Sequence, residues 1–543
     1  MSIANPNPLP RPRRVLVVED DLTSRELIRI ALEKTGYAVV PVDGVCAAQK
    51  ELNALGFEAF DCVVTDYQMP EDTGLALLAW LREHNSQLAT IILTAMAEKQ
   101  LVADSLRGGA VDFLEKPVDI HKLRVAIIKA IEQTRQRRHT FEVQAAVREL
   151  GRTQSWMLQA RVANLPVHID LCFHPKLEAG GDFFSHFRPG PDKYCCLLTD
   201  VSGHDLQAAY LSAYFQGVVR GMLECATSLP EVFCIFNRML LEEWNHALHA
   251  SVGTSVAVCA LLIDFKWRTA DVITCGTPAP LYVPPEGRLQ MLTEPGGIPL
   301  GWFEDFDVPA RIHASMPGGA FLLWTDGLED WAEKTGVSPL SAGFALLQAR
   351  AGGRPAVDLG EASDDILFST VCIPSAGQKA LRWYPLIHER YHGGQLAEID
   401  RLGEHWTRSL QVAVPDLDPM LKHDLLLASR ESLLNALQHG CHNEVQCWAT
   451  FQISFDPETR KFRIWVDDPG NGHAFDLDAH EMTATHHLVD RHRGLLLMKQ
   501  LSQALTFERR GASVLMELGP EPRRHEPAPT QPAGGGNPFS RNL

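Results

Sequence analysis

The strongest constraint on this chain is a rhythm in its first 131 residues. Short apolar or β-branched runs, Val15-Leu-Val-Val18, Cys62-Val-Val-Thr65 and Thr90-Ile-Ile-Leu93, alternate with amphipathic stretches such as 22–34. Runs of this kind suit buried strands, and the stretches between them suit helices that cover a sheet. The rhythm over 14–131 therefore predicts a doubly wound parallel sheet. In such a sheet, ligands bind where the strands end at their carboxyl edge. Glu19-Asp20-Asp21, Asp66, Thr94 and Lys116-Pro117 all fall at that edge. Glu19, Asp20 and Asp66 suit one hard cation such as magnesium, which would lower the repulsion between Asp66 and an incoming phosphoryl group. Lys116 can pair with phosphoryl oxygens, and Thr94 can hydrogen-bond one of them.

The remainder of a 543-residue chain cannot share that core, and the length predicts about three domains. Between 132 and 165 there is one glycine, Gly151, and no strong turn signal. Leu123, Ile127 and Ile131 recur at helical spacing, and Phe141, Ala145 and Leu150 extend the stripe. This predicts a long connecting helix, with self-association into a homodimer expected through it. Residues 166–374 hold many short β-rich segments punctuated by Gly and Pro, with helices near 206–223 and 229–246, an α+β sandwich pattern. A short linker follows at 375–377. Across 378–519 helices come first and strands such as Phe462-Arg-Ile-Trp-Val466 later. The ends, 1–13 and 520–543, have the composition of disordered segments.

Composition removes several function classes. Lys plus Arg number 50 against 67 Asp plus Glu, a net charge of −17, which argues against a general nucleic-acid surface. The apolar runs are too short for a membrane span, and the first residues lack the apolar core of a secretion signal. Twelve cysteines include no CxxC pair and no zinc spacing, and adjacent Cys195-Cys196 reads as strand packing. A reducing, cytoplasmic compartment is expected.

Residues 166–374 carry aspartates placed after glycines or at strand ends: Gly180-Gly-Asp182, Asp200-Val-Ser-Gly203-His204, Thr325-Asp326-Gly327 and Asp364-Asp365. Separated carboxylates with few nearby histidines or cysteines suit magnesium or manganese rather than zinc. The Gly203 carbonyl can add an oxygen ligand, and His204 reads as orienting its loop. Two metals roughly 3.5–4 Å apart can activate a bridging water and hold a phosphate oxygen, which is phosphomonoester hydrolysis with no covalent enzyme intermediate.

Further on, 425–437 reads as a helix. Glu431 and Asn435 share one face of it, with His439 another four along. A carboxylate and an amide so placed can bind a hydrated magnesium and orient a hydroxyl. Asp468 ends the strand Ile464-Trp-Val466, where it can accept the amino group of adenine, and Gly470 and Gly472 allow a close turn. Gly494 opens a helix beside the phosphates of a nucleotide. The stretch 482–493 carries His486, His487 and His492, with His480 just before it; these read as a solvated loop.

The first domain resembles a response-regulator receiver of flavodoxin-like fold. The resemblance implies phosphorylation of Asp66 by an upstream sensor histidine kinase, with Phe113 as the aromatic switch residue. The second, on its aspartate motifs and Gly297-Ile-Pro-Leu-Gly301, resembles the SpoIIE/RsbU-like branch of metal-dependent protein phosphatases, type 2C, with an α-β-β-α sandwich. Carried over, Asp182 and Asp200 bind the metals, and Asp326 and Asp364 complete the shell. There are two departures from that family: Cys275-Gly276-Thr277 stands for its usual Ala-Gly-His, and Asp205 for a glycine. The third resembles the RsbW-like anti-sigma-factor serine kinases of the GHKL ATPase superfamily, an α/β sandwich. There Glu431 would act as base, Asn435 would bind magnesium, and Asp468, Gly470, Gly472 and Gly494 would hold ATP; 482–493 would be the nucleotide lid, which departs from the family in carrying histidines where relatives are usually glycine-rich. A sensor histidine kinase would need a phosphoacceptor helix just before this domain, but His388 and His392 follow Trp383, Tyr384 and Pro385 instead.

In this combination the chain resembles the bifunctional regulators of partner-switching pathways. The implied substrate is a STAS-domain anti-sigma-factor antagonist, phosphorylated on one serine or threonine by the last domain and dephosphorylated by the middle one, with Asp66 biasing the two. The alternative is a last domain that binds a sigma factor or partner without kinase activity.

Overall fold

The computed structural model describes residues 12–70, 72–95, 109–159, 165–177, 180–203, 206–225, 228–244, 254–292, 297–304, 306, 312–315, 318–350, 359–360, 362–374, 381–472 and 493–520. The linker at 375–377, His204, Asp205 and the lid except Arg493 lie outside them. The chain divides into two compact units, Met1–Glu149 and Leu150–Leu543. No helix among the described residues is long and apolar enough to cross a membrane.

In the first unit, strands Ala38–Val42, Arg14–Val18, Cys62–Asp66, Thr90–Thr94 and Asp112–Glu115 lie side by side in that order, all parallel. Alternation along the strand starting at Arg14 supplies two cores at once. Val15 and Val17 pack with Ile28 and Ile127 on one face, and Leu16 and Val18 pack with Leu52 and Leu77 on the other. This is the expected doubly wound arrangement. Asp21 caps the helix Leu22–Glu33 by accepting from the Ser24 amide. One helix then runs from Ile120 to Gln159. Leu123, Ile127 and Ile131 are buried in it, whereas Phe141 and Ala145 are exposed, so the apolar stripe is covered in its first turns and bare at those two positions.

The second unit begins with a sandwich. One sheet has the order Ile312–Ser315, Thr269–Cys275, Val256–Asp264, Lys193–Val201, Phe183–Gly190. The other has Gln290–Met291, Leu281–Val283, Gly319–Trp324, Ile366–Ile373, His168–His174. Phe184, Tyr194 and Leu198 of the first meet Leu171, Phe321 and Val371 of the second in a shared core. Helices Leu206–Glu224 and Leu229–Met239 cover the outside of one sheet, and Asp326–Thr335 and Pro339–Arg350 cover the other. The result is α-β-β-α. Neighbouring Cys195 and Cys196 point to opposite faces, Cys195 under the helices and Cys196 between the sheets, as strand packing requires.

An antiparallel sheet follows, ordered Tyr384–His392, Trp448–Asp456, Lys461–Asp467, Ser513–Leu518, Ala504–Glu508. Helices Ile399–Ala413, Pro419–Asn435 and Arg493–Leu501 pack on one face around Trp406, Leu433, Phe451 and Ile453. The helix read as 425–437 starts earlier, at Pro419. Asp418 caps it by accepting from the Leu421 amide, and a proline in the first turn loses no helical bond. It ends at Asn435 and widens into a π-helical turn, Ala436–Gly440. Helix Pro339–Arg350 is buried from Leu340 to Leu347. Its Leu340 and Leu346 belong to the sandwich core and its Phe344 to the core of the last domain. The Ser341 hydroxyl donates to the Leu386 carbonyl at 2.8 Å.

Candidate active sites

At the carboxyl edge of the parallel sheet, ligand oxygens of Glu19, Asp20 and Asp66 lie within 4.8 Å of one another. An all-oxygen set this tight fits a hard divalent cation. Lys116 Nζ donates to Asp66 at 2.6 Å and to Glu19 at 2.8 Å. Burial pushes the Glu19 carboxyl up, partly countered by Lys116 and reinforced by Asp66. Burial pulls Lys116 down, but its bonds to Asp66 and Glu19 outweigh this and raise it. Thr94 is buried, and its carbonyl accepts from the Lys116 amide at 2.8 Å, which fixes where the lysine starts. Phe113 is half-buried on the neighbouring strand. A Cβ at Gly74 would lie 2.3 Å from the Asp66 carbonyl, so only glycine lets the helix Gly74–Glu83 start close to the acid.

In the sandwich, Asp182, Asp200 and Asp326 are drawn together from three separate strand ends. Burial raises Asp182 well above the ordinary carboxylate range, and Asp200 adds to this. Asp200 is raised in the same way by burial, then by Asp326 and Asp364, and it shares a hydrogen bond with Asp326. Burial also raises Asp326. Carboxylates that share a hydrogen bond must share a proton unless a cation stands between them. The all-oxygen donor set suits magnesium or manganese. Among the described residues no three of these acids bring ligand atoms within 4.8 Å, a wider spread than in the receiver. Asp364 is exposed at the rim. Thr325 donates to Asp182 Oδ2 at 2.6 Å and accepts from the Leu367 amide. A Cβ at Gly181 would lie 2.4 Å from the Val201 carbonyl and 2.8 Å from that of Gly203, which itself has φ +101°. The departing Cys275-Gly276-Thr277 segment still seats against the 297–301 loop, since a Cβ at Gly276 would meet Pro299 at 2.5 Å.

In the last domain, a Cβ on Gly494 would lie 3.0 Å from Glu431 Oε2 and 3.3 Å from Asn435 Nδ2. The start of helix Arg493–Leu501 therefore presses on both side chains. Among the described residues, Asn435 Nδ2 is buried without a hydrogen-bond partner. Arg430 bridges Asp400 at 3.1 Å and Glu431 at 3.2 Å. His439 is exposed rather than aligned with them, because the π-helical turn breaks the four-residue repeat. Asp468 is held in glycines: a Cβ at Gly440 would lie 2.1 Å from its Cγ, and the Gly470 amide donates to Oδ1 at 2.8 Å. Gly472 turns with φ +74°. Burial raises Asp468 to about 6, with Asp467 adding to it. His388 lies in the strand Tyr384–His392, where burial lowers it to about 4, and not on a helix.

Comparison with known proteins follows the same three divisions. The family models matched are the response regulator receiver domain over 15–128, stage II sporulation protein E over 190–369 and the histidine kinase-like ATPase domain over 395–518. The transcriptional regulatory protein FixJ of Azorhizobium caulinodans is 31% identical over 175 residues, which are 31% of this chain and 82% of that protein. The chain is a response regulator. The FixJ of Bradyrhizobium diazoefficiens is 34% identical over 119 residues, and this response regulator spans 57% of its length. Among solved structures, a receiver protein from Pseudomonas putida is 30% identical over 22% of this chain and 99% of its own, with TM-score 0.21. The RsbU and RsbW domains of Rv1364c from Mycobacterium tuberculosis are 18% identical over 65% and 92%, with TM-score 0.29.

Four residues of the regulator's sites escape a reading of motifs. Buried Asp365, next to Asp364, accepts from the Lys176 and Gly181 amides, each at 2.8 Å. Gln154, buried near the end of helix Ile120–Gln159, donates to the Gly180 and Asp182 carbonyls at 2.9 and 3.0 Å and accepts from the Gly180 amide at 3.1 Å. Between them they fix the loop that aims Asp182. Gly440 is the contact that admits Asp468. Arg509 donates to the Asp468 carbonyl at 2.8 Å and pairs with Asp467. Gly440, directly after His439 in a motif already singled out, and Asp365, the second residue of the Asp364-Asp365 pair, carried a local signal; Gln154 and Arg509 carried none.

Proposed function

We propose that this response regulator works in a partner-switching pathway, with a STAS-domain anti-sigma-factor antagonist as its substrate. The middle domain hydrolyses a phosphoserine or phosphothreonine of that protein, the last domain forms it from ATP, and phosphorylation of Asp66 by a sensor histidine kinase biases the two. The supporting observation is one chain bearing an oxygen-only acid set at 182, 200 and 326, in which Asp200 and Asp326 share a hydrogen bond, and a Glu431–Asn435–Gly494–Asp468 cradle.

In the middle domain, Asp182 and Asp200 would hold two manganese or magnesium ions, with Asp326, Asp364 and the Gly203 carbonyl completing the set. Bound there, the ions supply a hydroxide-like nucleophile and neutralise the phosphate oxygens. Thr325, Asp365 and Gln154 keep Asp182 in place. In the last domain, Glu431 accepts the proton of the substrate hydroxyl as its oxygen bonds to the γ-phosphorus, and the bond to the β-phosphate oxygen breaks. Asn435 would hold magnesium, and Asp468 would accept from the adenine amino group. In the receiver, Glu19 and Asp20 with Asp66 would hold magnesium, while Lys116 and Thr94 meet the phosphoryl oxygens and Phe113 reports the change.

The test is the full chain with magnesium ATP and a STAS-domain antagonist, followed by mass spectrometry of the antagonist. Serine or threonine phosphate should form, disappear in Glu431→Ala and Asn435→Ala, and be removed when manganese is added. Asp66→Ala should respond no further to acetyl phosphate. A second reading draws on Arg430, which occupies Glu431 as an ion-pair partner. In it the last domain binds nucleotide and holds a sigma or anti-sigma factor without transferring phosphate. A stable complex with no phosphate incorporation selects that reading.

A further inference from the structure

The outer face of the last sheet is polar but buried. Along Trp448–Asp456, Phe451, Ile453 and Phe455 face the helices, so Gln452, Ser454 and Asp456 face away; yet those three are 1–2% exposed. What covers Gln452 comes from the phosphatase sandwich: the turn at 284–289 between strands Leu281–Val283 and Gln290–Met291. Gln452 donates to the Gly287 carbonyl at 2.8 Å and accepts from the Leu289 amide at 2.9 Å. Gly287 has φ +90°, and a Cβ there would lie 3.1 Å from that of Trp383, so the turn approaches as closely as a glycine allows.

The tip of this turn reaches toward the nucleotide cradle. Arg288 pairs with Glu508 at 2.5 Å, and its guanidinium lies 5.5 Å from the Trp465 ring centre. Glu508 is followed by Arg509, which holds the Asp468 carbonyl and the Asp467 carboxylate. A Cβ at Gly472 would lie 2.1 Å from the Arg510 carbonyl. The 508–511 segment is thus gripped on one side by the phosphatase turn and on the other by the turn that carries Asp468.

We infer that Arg288 is a positioning residue for the nucleotide site: held in the phosphatase domain, it fixes Glu508 and Arg509, and through them the adenine-binding turn at Asp468. The inference rests on the reading of Asp468 as the adenine acceptor. The kinase cradle is complete only when the phosphatase turn is docked.

The test uses the full chain and a fluorescent ATP analogue with magnesium, in Arg288→Glu, Glu508→Arg and the double charge swap. Hydrolysis of p-nitrophenyl phosphate with manganese checks that the sandwich is intact, and Asp468→Ala checks the pocket. Each single reversal should weaken nucleotide binding roughly three- to tenfold, less so at high salt, and the swap should restore most of it. Phosphatase turnover should stay at the wild-type rate. Equal affinity in wild type and Arg288→Glu, with binding lost in Asp468→Ala, overturns the positioning role and leaves the nucleotide reading standing. A swap as weak as the single reversals overturns the positioning role too. Equal affinity in wild type and Asp468→Ala overturns both.

Discussion

In the receiver, Lys116 sits 2.8 Å from Glu19 and 2.6 Å from Asp66. Around Asp182, Asp200 and Asp326, no lysine or arginine is paired with any of the acids among the described residues, and each carboxyl is raised by burial. The two sites gather the same kind of side chain at strand ends. The first carries part of its countercharge in the polypeptide and leaves room for one ion. The second has no such partner among the described residues, so ions taken from solution would have to supply all of it, and without them the acids must share protons or repel.

The widest break with that comparison would come from the metals. Chelation, or Asp182→Asn, should cut phosphatase turnover roughly a thousandfold, several kcal/mol of transition-state stabilisation. Without metal, Asp200→Asn should melt roughly 2–4 °C higher, because it removes repulsion that only the ions offset. A lower melting point in calorimetry would show that the acids are not in conflict. The pH dependence has a definite sign. The folded values of Asp182, Asp200 and Asp326 lie above the ordinary 3.8, so the stability they contribute is complete below that value and lost as pH rises through the folded values. Manganese should flatten that slope.

Next in size, Lys116→Ala should lower phosphorylation of Asp66 by acetyl phosphate roughly a hundredfold, read on a phosphate-affinity gel. A smaller effect would mean that the built-in cation matters less than the bound one. Gln154→Ala should reduce phosphatase kcat about tenfold and raise the manganese needed for half-activity, with KM little changed. Smallest is the acid limb of nucleotide binding. With Asp468 titrating at about 6, affinity for ATP should fall roughly three- to fivefold between pH 7.5 and 5.5, and Asp468→Asn should flatten the profile.

The receiver was the most legible part, because a parallel sheet places strand-end residues on one edge whatever the loops do. Residues 19, 66, 94 and 116 could therefore be collected from the rhythm alone. In the sandwich the aspartate motifs, the Asp364-Asp365 pair among them, could be picked out of the sequence, but the role of Asp365 and the presence of Gln154 could not. Asp365 works by accepting backbone amides 184 and 189 positions away, and a lone glutamine on a helix carries no pattern. Arg509 is hidden for the same reason, 41 positions from the carbonyl it holds. The helix start at Pro419 was missed because the apolar spacing begins later than the cap. The burial of Gln452 was illegible as well: alternation says which face a strand residue takes, not what will cover it.

Helix Pro339–Arg350 has no solvent side for most of its length, its Phe344 belonging to the neighbouring domain's core. Separating the phosphatase from the ATPase by recombination would strand that ring in water and bare Tyr384 and Phe455 opposite it. A fragment library cut between 350 and 381 should therefore yield insoluble halves. On that packing the two domains would have to be inherited together for either to stay soluble.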